Sequence, residues 1–204
     1  MQIIIHFKKK GLMRYLSAIE LANAVIRVLN RSGLEMQFSE GFHPSPKVSF
    51  LDSTPTGMID LAMYVSVKLR NEITEFDSLK FLEKLKMLSP KGIEPTKIFK
   101  SEVNLNKIVE TYEYVLFSKK ELLLSEPVLK HSGKVFIPAE VMKNLEVVLK
   151  RNIFVIKYTI DREKLFNPFL LEGTFLAVRK KALAKGKDVS KILEGQEHES
   201  VSCR

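Results

Sequence analysis

Short β-like runs alternate with helical periods along the chain. Residues 2–7 (QIIIHF) are dense in β-branched side chains and predict a buried strand, followed by a basic loop over residues 8–11. Ser17 and Glu20 have the S-x-x-E spacing of a capping box, in which each side chain satisfies a free backbone N–H at a helix start. Ala22, Val25, Ile26 and Leu29 then recur at helical spacing, and Gly33 follows where a left-handed residue closes a helix. Residues 36–39 and 47–51 read as extended. Between them lies EGFHPSP, whose glycine and two prolines exclude regular helix. Residues 63–69 alternate as a strand, and residues 74–88 predict a helix with Phe76, Leu79, Leu82 and Leu85 on its apolar side. Residues 93–100 predict another strand.

This order of strand, helix, strand, strand, helix and strand predicts an α+β fold with a ferredoxin-like N-terminal half over residues 1–100. A connector at 101–107 leads to a second α+β half over residues 108–195. It predicts a strand at 109–117, a helix from Pro138 to about residue 151, and a strand at 152–160. An apolar helical stretch opens at Asn167-Pro168 and ends in Arg179, Lys180 and Lys181. Asp188 caps a short last helix that ends at Gly195, and residues 196–204 read as a disordered tail. The strand–helix–strand theme allows a second ferredoxin-like unit, although the halves share no sequence repeat.

At 204 residues, 45% of them hydrophobic and 28% charged, the chain can bury a real core. No apolar run approaches the roughly 20 residues that span a bilayer. The N-terminus has its apolar part before its charges, the reverse of a signal peptide, so the expected compartment is the cytoplasm. The single cysteine, Cys203, can neither pair internally nor hold a cluster. The histidines, His6, His43, His131 and His198, have neither metal-ligand nor triad spacing, and no P-loop or dinucleotide fingerprint is present. No metal and no cofactor is therefore expected. The net charge of +9 points instead to a polyanionic partner.

Residues 7–50 carry a composite pattern: Phe7, Lys9, Gly11, Arg14, Tyr15, Leu16 and Ser17, then Arg27, Arg31 and Gly33, then Ser39, Gly41, Phe42, Pro44, Pro46, Lys47, Ser49 and Phe50. This resembles the N-terminal signature of the radical SAM-linked domain of unknown function, F-x-K-x-G-x-x-R-(F/Y)-L-S-H-x-D followed by S-Q-G-F-N-P-H-P-K-(I/V)-S-F. The departures include Ala18, Glu20, His43 and Ser45, which lose a histidine at two positions and gain one. The resemblance implies association with a radical SAM enzyme. The chain has no CxxxCxxC and is not such an enzyme itself.

The two prolines rigidify the loop that carries Phe42, His43 and Lys47, and this loop is the best site candidate. With Lys8, Lys9, Lys10, Arg14, Tyr15, Arg27 and Arg31 it makes a candidate nucleic-acid surface: cations for phosphates, and Tyr15 or Phe42 for stacking on bases. Both segments flank the first helix, so Arg14 and Lys47 are expected on one face. Arg179, Lys180 and Lys181 form a secondary basic patch. The leading expectation is a non-enzymatic RNA- or ribonucleoprotein-binding accessory protein that acts with a radical SAM or RNA-processing partner and not with a membrane. The alternatives are a metal-independent endoribonuclease, with His43 as base and Lys47 or Arg14 as cation, and a protein-interaction module that docks a radical SAM enzyme.

Overall fold

The computed structural model of the chain describes residues 1–71, 76–130 and 132–202. Thr74, His131 and Cys203 lie outside the described residues, as does the side chain of His198. The first half runs β1 (Gln2–Lys9), a 3₁₀ turn (Gly11–Tyr15), α1 (Ala18–Arg31), β2 (Val48–Phe50), β3 (Ile59–Lys68), α2 (Ser78–Leu88) and β4 (Ile93–Lys100). The capping box is present in both directions: Glu20 N–H donates to Ser17 Oγ, and Ser17 N–H donates to Glu20 Oε2 at 2.8 Å. Gly33 follows the helix at φ 74°. Contrary to the loop expected at 8–11, β1 continues through Lys8 and Lys9, because Lys9 pairs with Asp60 on β3 and Ile93 on β4.

The second half is richer in strands than its sequence pattern indicates. It contains α3 (Leu105–Ile108), β5 (Thr111–Ser118), the small hairpin β6 (Val128–Leu129) and β7 (Val135–Phe136), and α4 (Pro138–Val141). Then come β8 (Met142–Lys150), β9 (Ile153–Asp161), β10 (Thr174–Ala184), β11 (Lys187–Asp188) and α5 (Val189–Ser202). Two predicted helices are corrected. The helix from Pro138 lasts only to Val141, where the chain enters β8. Arg151 and Asn152, at φ 48° and 61°, then form a two-residue hairpin turn into β9. The stretch opening at Asn167-Pro168 makes a single 3₁₀ turn, Pro168–Leu170, and then strand β10. An irregularity between Arg179 and Lys181 shifts the alternation, so the inward residues run Ala177 and Arg179, then Ala182 and Ala184, and the strict two-residue period is lost. The last helix also passes Gly195 and reaches Ser202, where a disordered tail was expected.

The fold is α+β, dominated by a nine-stranded mixed sheet. Its main path is β4-β1-β3-β10-β5-β9-β8, with β2 pairing β3 and β11 pairing β10. The sheet crosses the expected boundary between the halves through a short parallel pairing, Val178 with Ile59 and Arg179 with Asp60. On one face of the N-terminal strands, Ile3, Ile5, Phe7, Val65 and Val67 pack against α1 and α2 through Val25, Leu29 and Leu85. On the other face, Ile4, Tyr64 and Phe99 join Tyr112, Leu116, Ile156 and, from α5, Val189 and Leu193 in the larger core. Fully burying each large side chain contributes about 1.5–3 kcal/mol.

Two glycines separate a local from a tertiary constraint. At Gly33 a Cβ would meet only the Lys84 Nζ, 3.7 Å away, so Gly33→Ala should cost about 1 kcal/mol through its backbone alone. Gly92 combines φ 101° with the Lys10 carbonyl oxygen 2.6 Å from the Cβ position, and Lys10 is itself held there by its N–H on the Gly92 carbonyl at 2.8 Å. Gly92→Ala should therefore cost more, about 2 kcal/mol or above, in urea unfolding. Equal losses would show that the turn before β4 is free to shift.

Candidate functional site

The cationic residues of the first half divide between the two ends of β3. At the Asp60 end, the 3₁₀ turn packs beneath the loop before β3, and Gly57 N–H donates to the Arg14 carbonyl at 2.8 Å. Arg14 also lies 4.7 Å over the Tyr15 ring and donates from Nη2 to its hydroxyl. Lys10 pairs with Glu94 at 2.8 Å. At the opposite end, Lys47 N–H donates to the Gln37 carbonyl, and the Lys47 carbonyl accepts from Lys68 N–H. A strand rises about 3.3 Å per residue, so β3 holds Arg14 and Lys47 about 30 Å apart. The expected shared face is thus corrected: α1 runs antiparallel to β1 and carries Arg27 and Arg31 away from Arg14, toward the Lys47 end.

That far end presents the loop of residues 40–46. Ser39 and Ser45 close it through Ser39 N–H to the Ser45 carbonyl at 2.8 Å and Ser45 N–H to Ser39 Oγ at 3.0 Å. Residues 40–44 project beyond this clasp, and Phe42 is 102% exposed, with no packing role. His43 is exposed beside it, Phe38 is 47% exposed, and Lys47 is half-buried at the loop's base. An open cleft of about 820 Å³ lies next to the loop, lined by Leu34, Glu35, Gln37, Phe38 and Arg70 among others.

The other end holds a buried polar seam that pattern reading missed. Lys9 and Asp60 are each 1% exposed, and Arg179 is fully buried. Arg179 donates to both Asp60 oxygens, Nε to Oδ1 at 3.0 Å and Nη2 to Oδ2 at 2.5 Å, while its guanidinium lies 4.8 Å over the Tyr112 ring. Arg179 is therefore no member of a surface patch. Alternation turns it into the seam, while Lys180 and Lys181 stay exposed and Lys181 pairs with Glu113 at 3.0 Å. Nor does Lys9 belong to an exposed basic loop. Burial pushes its ammonium below the usual range, an effect that Asp60 opposes and Arg179 reinforces.

The seam continues through Asp52, which accepts from the Tyr112 hydroxyl and from Arg162, Nε at 2.6 Å and Nη2 at 3.0 Å. Burial opposes ionisation of Asp52, but the hydrogen bonds from Arg162 and Tyr112 outweigh it and hold the carboxyl below its ordinary range. The signal for the seam is a single carboxylate, Asp60, inside the apolar run from Met58 to Val67. On the same sheet face His6 uses both ring nitrogens. Nε2 lies 2.9 Å from the Leu61 carbonyl, which can only accept, so Nε2 carries a proton; Nδ1 lies 2.5 Å from Thr96 Oγ1, whose hydroxyl also donates to the His6 carbonyl at 3.1 Å. Among the described residues no group of three or more His, Cys, Asp or Glu side chains is placed to hold a metal ion, and no helix is long and apolar enough to cross a membrane.

Two measurements test this electrostatic account. Arg179→Met should cost about 3–5 kcal/mol because it strands a buried carboxylate, whereas Lys180→Ala should stay within about 0.5 kcal/mol. Adding Asp60→Leu to Arg179→Met should recover much of the loss. The second concerns His6, whose pKa burial lowers from 6.5 despite the opposing Leu61 hydrogen bond. The unfolded chain then takes up this proton first on acidification. The stabilisation is complete above pH 6.5 and is lost as pH falls through the folded-state value. Urea midpoints of the wild type should decline from pH 7 to 5, and His6→Gln should flatten that slope.

Comparison with known proteins returns no match among curated sequences. One family profile fits residues 2–168, from β1 to the turn before β10, and so takes in both the exposed loop and most of the seam. Over that span the chain belongs to the family described as an uncharacterized protein conserved in bacteria (DUF2344).

Proposed function

We propose that this chain is a non-enzymatic RNA- or ribonucleoprotein-binding accessory protein whose contact surface is the loop end of the N-terminal sheet. The observation that carries the reading is Phe42. A fully exposed phenyl ring on a loop stiffened by Pro44 and Pro46 gains nothing for the fold, yet it is presented at little entropic cost for stacking on an unpaired base. Phe38 lies near the loop's base, and Lys47, Lys68, Arg70, Arg27 and Arg31 supply cations at the same end for phosphates. The β4-β1-β3-β2 strand order with two helices on one face supports a ferredoxin-like reading of this half. The radical SAM or RNA-processing partner rests on the resemblance of residues 7–50 alone.

The nuclease alternative is less well supported. Its base, His43, stands about 30 Å from Arg14, one of its two candidate cations, which leaves Lys47 alone. The exposed aromatic pair also suits a protein-docking module, so the discriminating ligand is protein-free RNA. Phe42→Ala should weaken binding of a single-stranded oligoribonucleotide by about 1–3 kcal/mol, with folding unchanged. Lys47→Ala should lower the salt slope of that binding by about 0.7. Lys10→Ala, at the opposite end, should change neither. Fluorescence anisotropy across a salt series checks all three, and RNA binding absent at low salt would overturn the reading.

A further inference from the structure

The edge of the second half offers a different surface. β8 ends the main path of the sheet, and among the described residues no strand pairs with its outer side. Natural edge strands are blunted by charges, prolines or bulges, because their free N–H and C=O groups template further pairing. Here the irregularity sits at the start, between Lys143 and Glu146, with Asn144 at φ 51°. The rest of the strand, LEVVLK, is regular and carries four apolar side chains beside Glu146 and Lys150. Leu145, Val147, Val148 and Leu149 are 41%, 51%, 40% and 58% exposed.

The hairpin turn determines which groups face outward. A two-residue turn at Arg151-Asn152 makes Lys150 and Ile153 a hydrogen-bonded pair, so Val148 and Glu146 also bond to β9. The backbone groups of Leu145, Val147 and Leu149 are left pointing away from the sheet. The side chains of Glu146, Val148 and Lys150 share one face. A cross-strand apolar row on that face, Leu176, Phe117, Val155 and Val148, ends at the open edge.

We infer that β8 pairs antiparallel with β8 of a second copy of this chain, with Val148 on the two-fold axis. The occupant follows from charge self-complementarity. A two-fold axis through Val148 sets Glu146, which also pairs with Lys157 on β9 at 3.1 Å, opposite the partner's Lys150, and sets Lys150 opposite the partner's Glu146. It also sets the outward-facing Val147 opposite the partner's Leu149 as a hydrogen-bonded pair. Moving the axis to Val147 leaves both charges opposite neutral residues, and moving it to Glu146 sets two carboxylates face to face. Only the Val148 axis among these satisfies charges and backbone together, and it joins the apolar row to the same row of the second copy.

Sedimentation equilibrium of the purified full-length chain over a wide concentration range tests the pairing. The wild type should approach twice the chain mass. Val147→Pro removes an N–H that faces the partner and none that bonds to β9, so it should be monomeric with unchanged circular dichroism. Glu146→Lys and Lys150→Glu should each raise the dimer dissociation constant about tenfold, and the double reversal should restore it to within about twofold. These exposed charge variants keep the test decisive if the proline variant fails to fold. A wild type that is monomeric at every concentration overturns the inference. So does a folded Val147→Pro variant that still dimerises, or single reversals that weaken the dimer with no recovery in the double variant.

Discussion

The buried ion pair between Arg179 and Asp60 is the interaction on which the architecture turns. The two halves meet in the sheet through a parallel contact of only two residue pairs, and this ion pair lies across it. Desolvation makes each of these charges costly alone, which makes their mutual placement stringent. Bidentate geometry, the Tyr112 ring beneath the guanidinium and the Ala62 N–H on Asp60 Oδ1 offset that cost. Arg179 Nη1 is left buried without a hydrogen-bond partner, so the offset is incomplete. An apolar contact could slide or rotate at a seam this short, whereas a bidentate pair admits one register.

The seam explains why the molecule's positive charge is unevenly available. Lys9 and Arg179 are spent internally, and Arg162 is tied to Asp52. On the second half, Lys143, Lys157 and Lys181 each face a carboxylate from a neighbouring strand. Such exposed pairs stabilise little, but they neutralise the face they occupy. The loop end of the first half combines exposed cations with exposed aromatic rings. The open edge of β8 combines apolar side chains with Lys150 and with Glu146, which also faces Lys157 on β9. These are two surfaces of different chemistry at separate parts of one sheet, and they suit different partners.

Several features were legible without coordinates because they depend on neighbours in sequence. The capping box of Ser17 and Glu20, the left-handed Gly33, the strands near residues 2–7, 63–69, 93–100, 109–117 and 152–160, and the loop bounded by Pro44 and Pro46 all follow from local patterning and turn chemistry. β8 and β10 did not, because their state was decided by distant strands. Val147 and Val148 sit in a stretch whose apolar positions fit either period until β9 pairs with it, and the irregularity at Arg179–Lys181 breaks the two-residue alternation that would mark β10 as a strand. The sequence by itself determined the class of fold and the loop shaped by Pro44 and Pro46. Only the tertiary structure decided that Lys9 and Arg179 are interior, that Arg14 and Lys47 stand at opposite ends of β3, and that β8 is an open edge. Burial and edge position are properties of strand order, and strand order is set by contacts between residues more than a hundred positions apart, such as Asp60 and Arg179.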